Sequence, residues 1–259
     1  MLSLSIRPLS IAILALVGLL GLGAETLHAT VITNGCADAN QSCSLNELVA
    51  GGSIIIDDKR FDAWFVDDFS SIPVDLGSIE ALLLDDQPLN PGLQFDSNGE
   101  FSTVGFDLID VFLGFTVSTL DGSARIKDNS LEINGFDFGA GNVGGFIQIF
   151  EDLFDGNGNL IGEKFVTADN LDPPIFDLFD TAQFTPQPQI FVETSILLSG
   201  DGPGDTVSLD RFTQKFSQIP EPSALILVGV GLAALGLSRK RSPQTDKQFR
   251  SSGAETRRC

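Results

Sequence analysis

Carboxylates are the only abundant side chains in this sequence able to act as acid, base or hard-metal ligand. The chain carries 35 Asp plus Glu and a single histidine, His28. Everything after residue 28 therefore lacks the imidazole that a Ser-His-Asp or Cys-His nucleophile system, or a His-containing zinc site, requires. Two carboxylates can hydrolyse a glycoside when a cleft raises the pKa of one of them, but no spacing here selects such a pair. The expectation is a protein without catalysis of its own, with a secreted carboxylate-based glycoside hydrolase as the remote alternative. The most ligand-like motif is Asp155-Gly156-Asn157-Gly158-Asn159, in which Asp155, Asn157 and Asn159 put side-chain oxygens at alternate positions of a Gly-rich loop, as in the first half of an EF-hand. The twelfth position is Val166 where an EF-hand needs Glu, and the flanks Phe146 to Phe154 and Leu160 to Thr167 read as strands. A hairpin connection is the preferred reading, and Ca²⁺ is the only cofactor that the sequence suggests.

Cys36 and Cys43 flank a short polar stretch and are expected to form a disulfide in an oxidising compartment; Cys259 has no partner and no lipidation spacing. Between Thr30 and Ile219, 7 Lys plus Arg stand against 31 Asp plus Glu, a balance of -24. A surface so acidic repels nucleic acid and anionic headgroups, so no nucleic-acid partner is expected.

Near the C-terminus the pattern changes. Pro220-Glu221-Pro222 precedes Ser223 to Ser238, which holds no charge, and Arg239-Lys240-Arg241 follows. A helix over those 16 residues would rise about 24 Å, enough to span a hydrocarbon core of about 30 Å when its flanks snorkel. The basic cluster would hold that end in the cytoplasm, and the two prolines would present the tripeptide extended at the outer face.

Tripeptide, apolar helix and basic stop together resemble the PEP-CTERM sorting signal. That resemblance implies that a membrane-embedded exosortase recognises Pro220 to Pro222, cleaves nearby and passes the protein to the cell surface or extracellular matrix. Until processing, the C-terminal helix would anchor the chain in the membrane. Ser242 to Cys259 continues past the point where such signals usually stop, as a basic cytoplasmic tail; an ordinary tail anchor is the alternative. Shorter pieces also resemble exported PEP-CTERM proteins of cyanobacterial type: the early Cys pair, Gly51 to Trp64, Asn90 to Phe95, Phe115 to Thr119 and Phe212 to Gln218. They imply an extracellular domain.

At the other end, Arg7, the apolar run Leu9 to Gly23 and Leu27-His28-Ala29 have the order of a signal peptide with cleavage after Ala29. The expected organisation is thus a signal peptide over 1–29, an acidic extracytoplasmic domain over 30–219, the sorting signal over 220–241 and the tail over 242–259.

The elements that must carry these features are short strands. Ser44-Leu45-Asn46-Glu47 fits a capping box for one small helix stopped by Gly51-Gly52. Otherwise apolar or alternating runs dominate: Ser53 to Ile56, Ala81 to Leu84, Val111 to Thr119, Gly145 to Phe150, Phe165 to Thr167 and Gln189 to Leu198. Between them lie turn formers, among them Asn90-Pro91-Gly92, Asp96 to Gly99, Asn134-Gly135 and Asp201 to Gly204. The expected fold is all-β, an antiparallel β-sandwich or jelly roll. Phe101, Phe106, Phe112, Phe115, Phe136, Phe138, Phe146 and Phe150 are expected to fill its core, as is Trp64. The functional expectation is a structural or interaction protein of the envelope or matrix; the alternative is a calcium-dependent adhesion or carbohydrate-binding module with an extracellular polysaccharide as partner.

Overall fold

Ser44 lies in extended backbone, its hydroxyl accepts from the Glu47 amide, and the Glu47 carboxylate accepts from the Ser44 amide, so the capping box starts α1 (Leu45–Val49) as the sequence predicts. Beyond that helix the regular structure among the described residues is strand. The computed structural model describes residues 31–37, 41–87, 89–120 and 124–220. The predicted signal peptide, apolar C-terminal helix and basic tail lie outside the described residues. Among the described residues, no helix is long and apolar enough to cross a membrane.

The strands are β1 (Val31–Asn34), β2 (Ser42–Ser44), β3 (Ser53–Ile56), β4 (Lys59–Asp68), β5 (Glu80–Leu84), β6 (Gly92–Asp96), β7 (Ser102–Val104), β8 (Leu108–Thr119), β9 (Ala124–Phe138), β10 (Gly145–Asp155), β11 (Leu160–Asp169), β12 (Ile175–Asp177), β13 (Phe179–Gln187), β14 (Gln189–Gly200) and β15 (Thr206–Pro220). An eight-stranded sheet runs β1-β3-β4-β8-β14-β10-β11-β12, and a seven-stranded sheet runs β13-β9-β15-β6-β5-β2 with β7 also on β15. Neighbours pair antiparallel, as in β8 with β14 and β10 with β11. This is the antiparallel sandwich that the sequence predicts.

Strand period two decides which side chains fill it. In β8, Ile109, Val111, Leu113, Phe115 and Val117 are buried; in β10 and β14, Ile147, Ile149, Leu153, Ile190, Val192, Ile196 and Leu198 continue that layer. The seven-stranded sheet answers with Leu93, Phe95, Ile126, Leu131, Ile133, Val207, Leu209, Phe212 and Phe216. Aromatic rings join the layers. Phe61 meets Phe216 edge-on at 5.5 Å and Trp64 meets Phe95 edge-on at 6.3 Å across the two sheets, while Trp64 stacks on Phe115 at 4.4 Å and Phe95 on Phe212 at 4.7 Å within them.

Two expectations require correction. Phe101 and Phe115 are buried, but Phe106 is 67% exposed and Phe150 47% exposed. In β10 the odd-numbered side chains point inward, so Phe146 and Phe150 take the outer parity, as Phe112 does in β8. Asn134-Gly135 is no turn; it lies within β9. An Asn-Gly pair makes a hairpin only when its flanks pair with each other, whereas β9 pairs with β13 and neighbours β15 along the sheet. There, Gly135 admits a close approach: a Cβ would meet the Arg211 amide nitrogen at 3.3 Å, and Asn134 Nδ2 donates to Thr213 Oγ1 at 2.6 Å.

Candidate functional site

The outer face of the eight-stranded sheet is built by the side chains that alternate with the core. In β10 these are Phe146, Gln148, Phe150, Asp152 and Phe154. Register places Asp152 directly opposite Glu193 of β14 on one side and Glu163 of β11 on the other, so three carboxylates form one row across three strands. Among the described residues, none of the three has an ion-pair partner. Partial burial, reinforced by the charge of Asp152, pushes the Glu193 carboxyl above its usual range.

Phenylalanine rings border the row. Phe150 and Phe165 meet at 4.5 Å, Phe154 and Phe191 at 6.3 Å, and Phe65 lies nearly parallel to Phe191 at 5.9 Å and tilted to Phe112 at 5.8 Å. Gly114 makes room for this arrangement, because a Cβ there would come within 2.0 Å of the Phe65 ring. The face thus offers flat apolar rings beside unneutralised hydrogen-bond acceptors. Sequence reasoning missed it although the signal was present: in Phe146 to Phe154 one parity holds Ile147, Ile149 and Leu153 and the other Phe146, Phe150 and Phe154, so both faces of the strand carry apolar side chains.

Beneath that face a polar group is sealed in the core. Glu151, opposite Lys164 in the β10–β11 register, forms an ion pair with it, and both side chains are fully buried. Gln214 of β15 reaches across from the other sheet, its Nε2 donating to Glu151 Oε2 at 2.5 Å and to Thr194 Oγ1 at 2.9 Å. Burial pushes the Glu151 carboxyl up and the Lys164 amine down, each opposed by the other's charge. In sequence, Glu151-Asp152 reads as an ordinary acidic pair; only the sheet parity separates a buried member from a half-buried one on the outer face.

The remaining predicted residues fall in separate places. Cys36 and Cys43 form a disulfide with a Cα–Cα distance of 5.2 Å. It links the end of β1, in one sheet, to β2, in the other. Asp155 and Asn159 meet at the β10–β11 hairpin, but as a turn: Asp155 Oδ1 accepts from the Asn157 and Asn159 amides at 2.8 and 2.9 Å, and Asn159 turns its Nδ2 to Oδ2 at 2.9 Å. These bonds, the side-chain bond from Asn159 foremost, hold the Asp155 carboxyl down at about 2. Its oxygens are thus occupied by donors of the loop itself, and among the described residues no three His, Cys, Asp or Glu side chains are grouped to hold a metal ion.

Of the predicted sorting residues, Pro220 ends β15, while Glu221, Pro222, Arg239, Lys240 and Arg241 lie outside the described residues. The strand is fixed nearly to that point. Phe216 is in the core, the Phe216 and Gln218 amides donate to the Pro91 and Leu89 carbonyls at 3.0 Å each, and Gln218 accepts a hydrogen bond from the buried amine of Lys59.

Residues 218–241 match the family of the PEP-CTERM protein-sorting motif. The chain carries a PEP-CTERM sorting motif. The match implies an exported protein sorted by an exosortase to the cell surface, and it begins at Gln218, inside the last strand of the sandwich. A comparison with curated proteins finds no match. Among solved structures, the chain is similar to TmCBM61 in complex with β-1,4-galactotriose, at a TM-score of 0.28 and 13% identity over 59% of this chain and 87% of that one. It is similar to the CBM22-1 xylan-binding domain of Paenibacillus barcinonensis Xyn10C, at 0.24 and 16% over 60% and 85%. A third is the mannan-recognising module TmCBM27, at 0.28 and 10% over 73% and 98%. None shares enough of its arrangement with this chain to transfer a binding residue.

Proposed function

We propose that this PEP-CTERM protein, of the cyanobacterial type, is an envelope or extracellular-matrix component that acts by binding and has no catalysis of its own. The observation that carries this reading is the continuity of the motif with the sandwich. Residues 218–241 take over where β15 ends, so sorting would deliver an intact β-domain with almost no spacer. The C-terminal helix would hold the chain in the membrane until an exosortase acts. Intact-mass measurement of the protein from envelope and culture-medium fractions of its native host tests this. The expected species begins near Thr30 and ends close to Pro220 to Pro222; a sole species still ending at Cys259 would overturn exosortase processing.

The interaction surface in this reading is the ring-and-carboxylate face of the eight-stranded sheet, and the partner is an extracellular polysaccharide. Phenylalanine faces stack on the apolar faces of sugar rings, and carboxylates accept hydrogen bonds from hydroxyls. The strongly acidic surface favours a neutral polymer over an anionic one. Affinity electrophoresis through gels containing neutral or anionic polysaccharides is expected to retard the wild-type protein in a neutral one. Replacing both Phe150 and Phe165 with Ala should abolish that retardation while leaving the thermal midpoint within a few degrees, because both side chains are exposed. Retardation unchanged by the double substitution would exclude this face.

A further inference from the structure

The Lys59 side chain is fully buried at the start of β4, with two polar contacts: Gln218 Oε1, and Asp58 Oδ1 at 3.5 Å. We propose that Lys59 and Gln218 are joined by a side-chain amide bond, formed inside the folded sandwich with release of one ammonia. The amine already touches the carboxamide oxygen, and the carbon to be attacked is one carbonyl bond away, about 1.23 Å from that oxygen. Burial holds the Lys59 amine below its usual range, opposed by Asp58, Asp57 and Asp128, so more of it is in the neutral, nucleophilic form.

The balance is simple. Lys59 Nζ attacks Gln218 Cδ; the Asp58 carboxylate takes a proton from Nζ and passes it to Nε2; the Cδ–Nε2 bond breaks as the Nζ–Cδ amide forms. Nothing is oxidised or reduced, and the only product released is ammonia. Aminolysis of an amide is slow in water, but groups held together in an attack geometry reach effective concentrations of about 10⁵ to 10⁸ M, and the buried contact keeps this pair one small rotation from it. The reaction need happen only once in the life of each molecule.

A second buried lysine–carboxylate–glutamine group, whose glutamine also lies on β15, supplies an internal comparison. There Glu151 stands between Lys164 and Gln214, contacting both, and Gln214 Oε1 has no hydrogen-bond partner. No contact joins the Lys164 amine to the Gln214 carboxamide, so the crosslink is assigned to Lys59 and Gln218. The bond would tie β4 of one sheet to β15 of the other, two residues before Pro220.

Peptide mapping of the purified full chain decides the matter. A branched peptide joining the Lys59 and Gln218 segments, lighter than their sum by one ammonia, is expected, together with loss of tryptic cleavage after Lys59. Sequencing the branch separates this from ammonia lost at an asparagine. Lys59→Arg and Gln218→Leu should each restore two linear peptides, and Asp58→Asn should leave most molecules unlinked. Full recovery of linear peptides from the wild-type protein, with cleavage after Lys59, would overturn the proposal without recourse to any variant.

Discussion

Replacing Lys164 with Met removes one half of an ion pair whose two side chains are both fully out of solvent. Glu151 then keeps the hydrogen bond it accepts from Gln214 but has lost the one cation paired with it among the described residues, so it must either stay charged in the core or bind a proton. Breaking a buried pair from one side costs about 3 to 5 kcal/mol, whereas replacing both partners with apolar groups of similar volume is often neutral. Against a total of about 5 to 15 kcal/mol for a domain, the single substitution removes a large fraction of stability. The expected series in urea denaturation is a large fall in midpoint for Lys164→Met and for Glu151→Leu, and recovery of most of it in the double variant. With an m-value of about 2 kcal/mol/M, a 3 kcal/mol loss moves the midpoint by about 1.5 M. The double-variant cycle should therefore show a coupling of more than about 2 kcal/mol. Single losses below about 1 kcal/mol that simply add in the double variant would refute the reasoning, since they would mean that water reaches the pair.

Gly114→Ala is expected to cost about 1 to 3 kcal/mol by overpacking, because its Cβ would overlap the Phe65 ring at 2.0 Å; Phe65→Ala in the same chain should relieve part of the loss in thermal unfolding. Glu193→Gln should stabilise at neutral pH by about 0.2 to 1 kcal/mol by removing a like-charge cross-strand pair. The sign follows from the raised Glu193 pKa: the protonated form favours folding below the unfolded value, and that advantage is lost as pH rises through the folded one. The variant and wild type should therefore converge in acid, as urea midpoints measured across the pH range would show. Reducing the Cys36–Cys43 disulfide, with its sequence separation of 7, should lower stability by about 2 kcal/mol on loop-closure grounds; an unchanged midpoint in reductant would show that the link constrains nothing.

Local signals carried much of the fold into the sequence. Ser44 and Glu47 cap α1, and Ser53 to Ile56 is β3 to the residue, because caps and short apolar runs depend on neighbours within a few positions. The Asp155 loop was legible for the same reason. What failed depended on partners far along the chain. Asn134-Gly135 lost its turn to pairing with distant strands, and the outer phenylalanines could be told from inner ones only once the parity of β10 was fixed by the aliphatic face opposite. Gln214 and Gln218 look like solvent-exposed polar residues until β15 is placed inside a sheet, where their parity aims them at Glu151 and Lys59.

The position of β15 also decides when the domain can close. It contributes Phe212 and Phe216 to the core and lies between β9 and β6, yet it is the last strand of the domain to be translated. Until β15 is in place, β9 and β6 have no common neighbour and the aromatic cluster lacks two of its rings. Without β15 the seven-stranded sheet would be split between β9 and β6, and the domain would stay open until that strand is available to pair. A chain truncated before β15 would therefore lose both the strand that joins β9 to β6 and the sorting motif over residues 218–241.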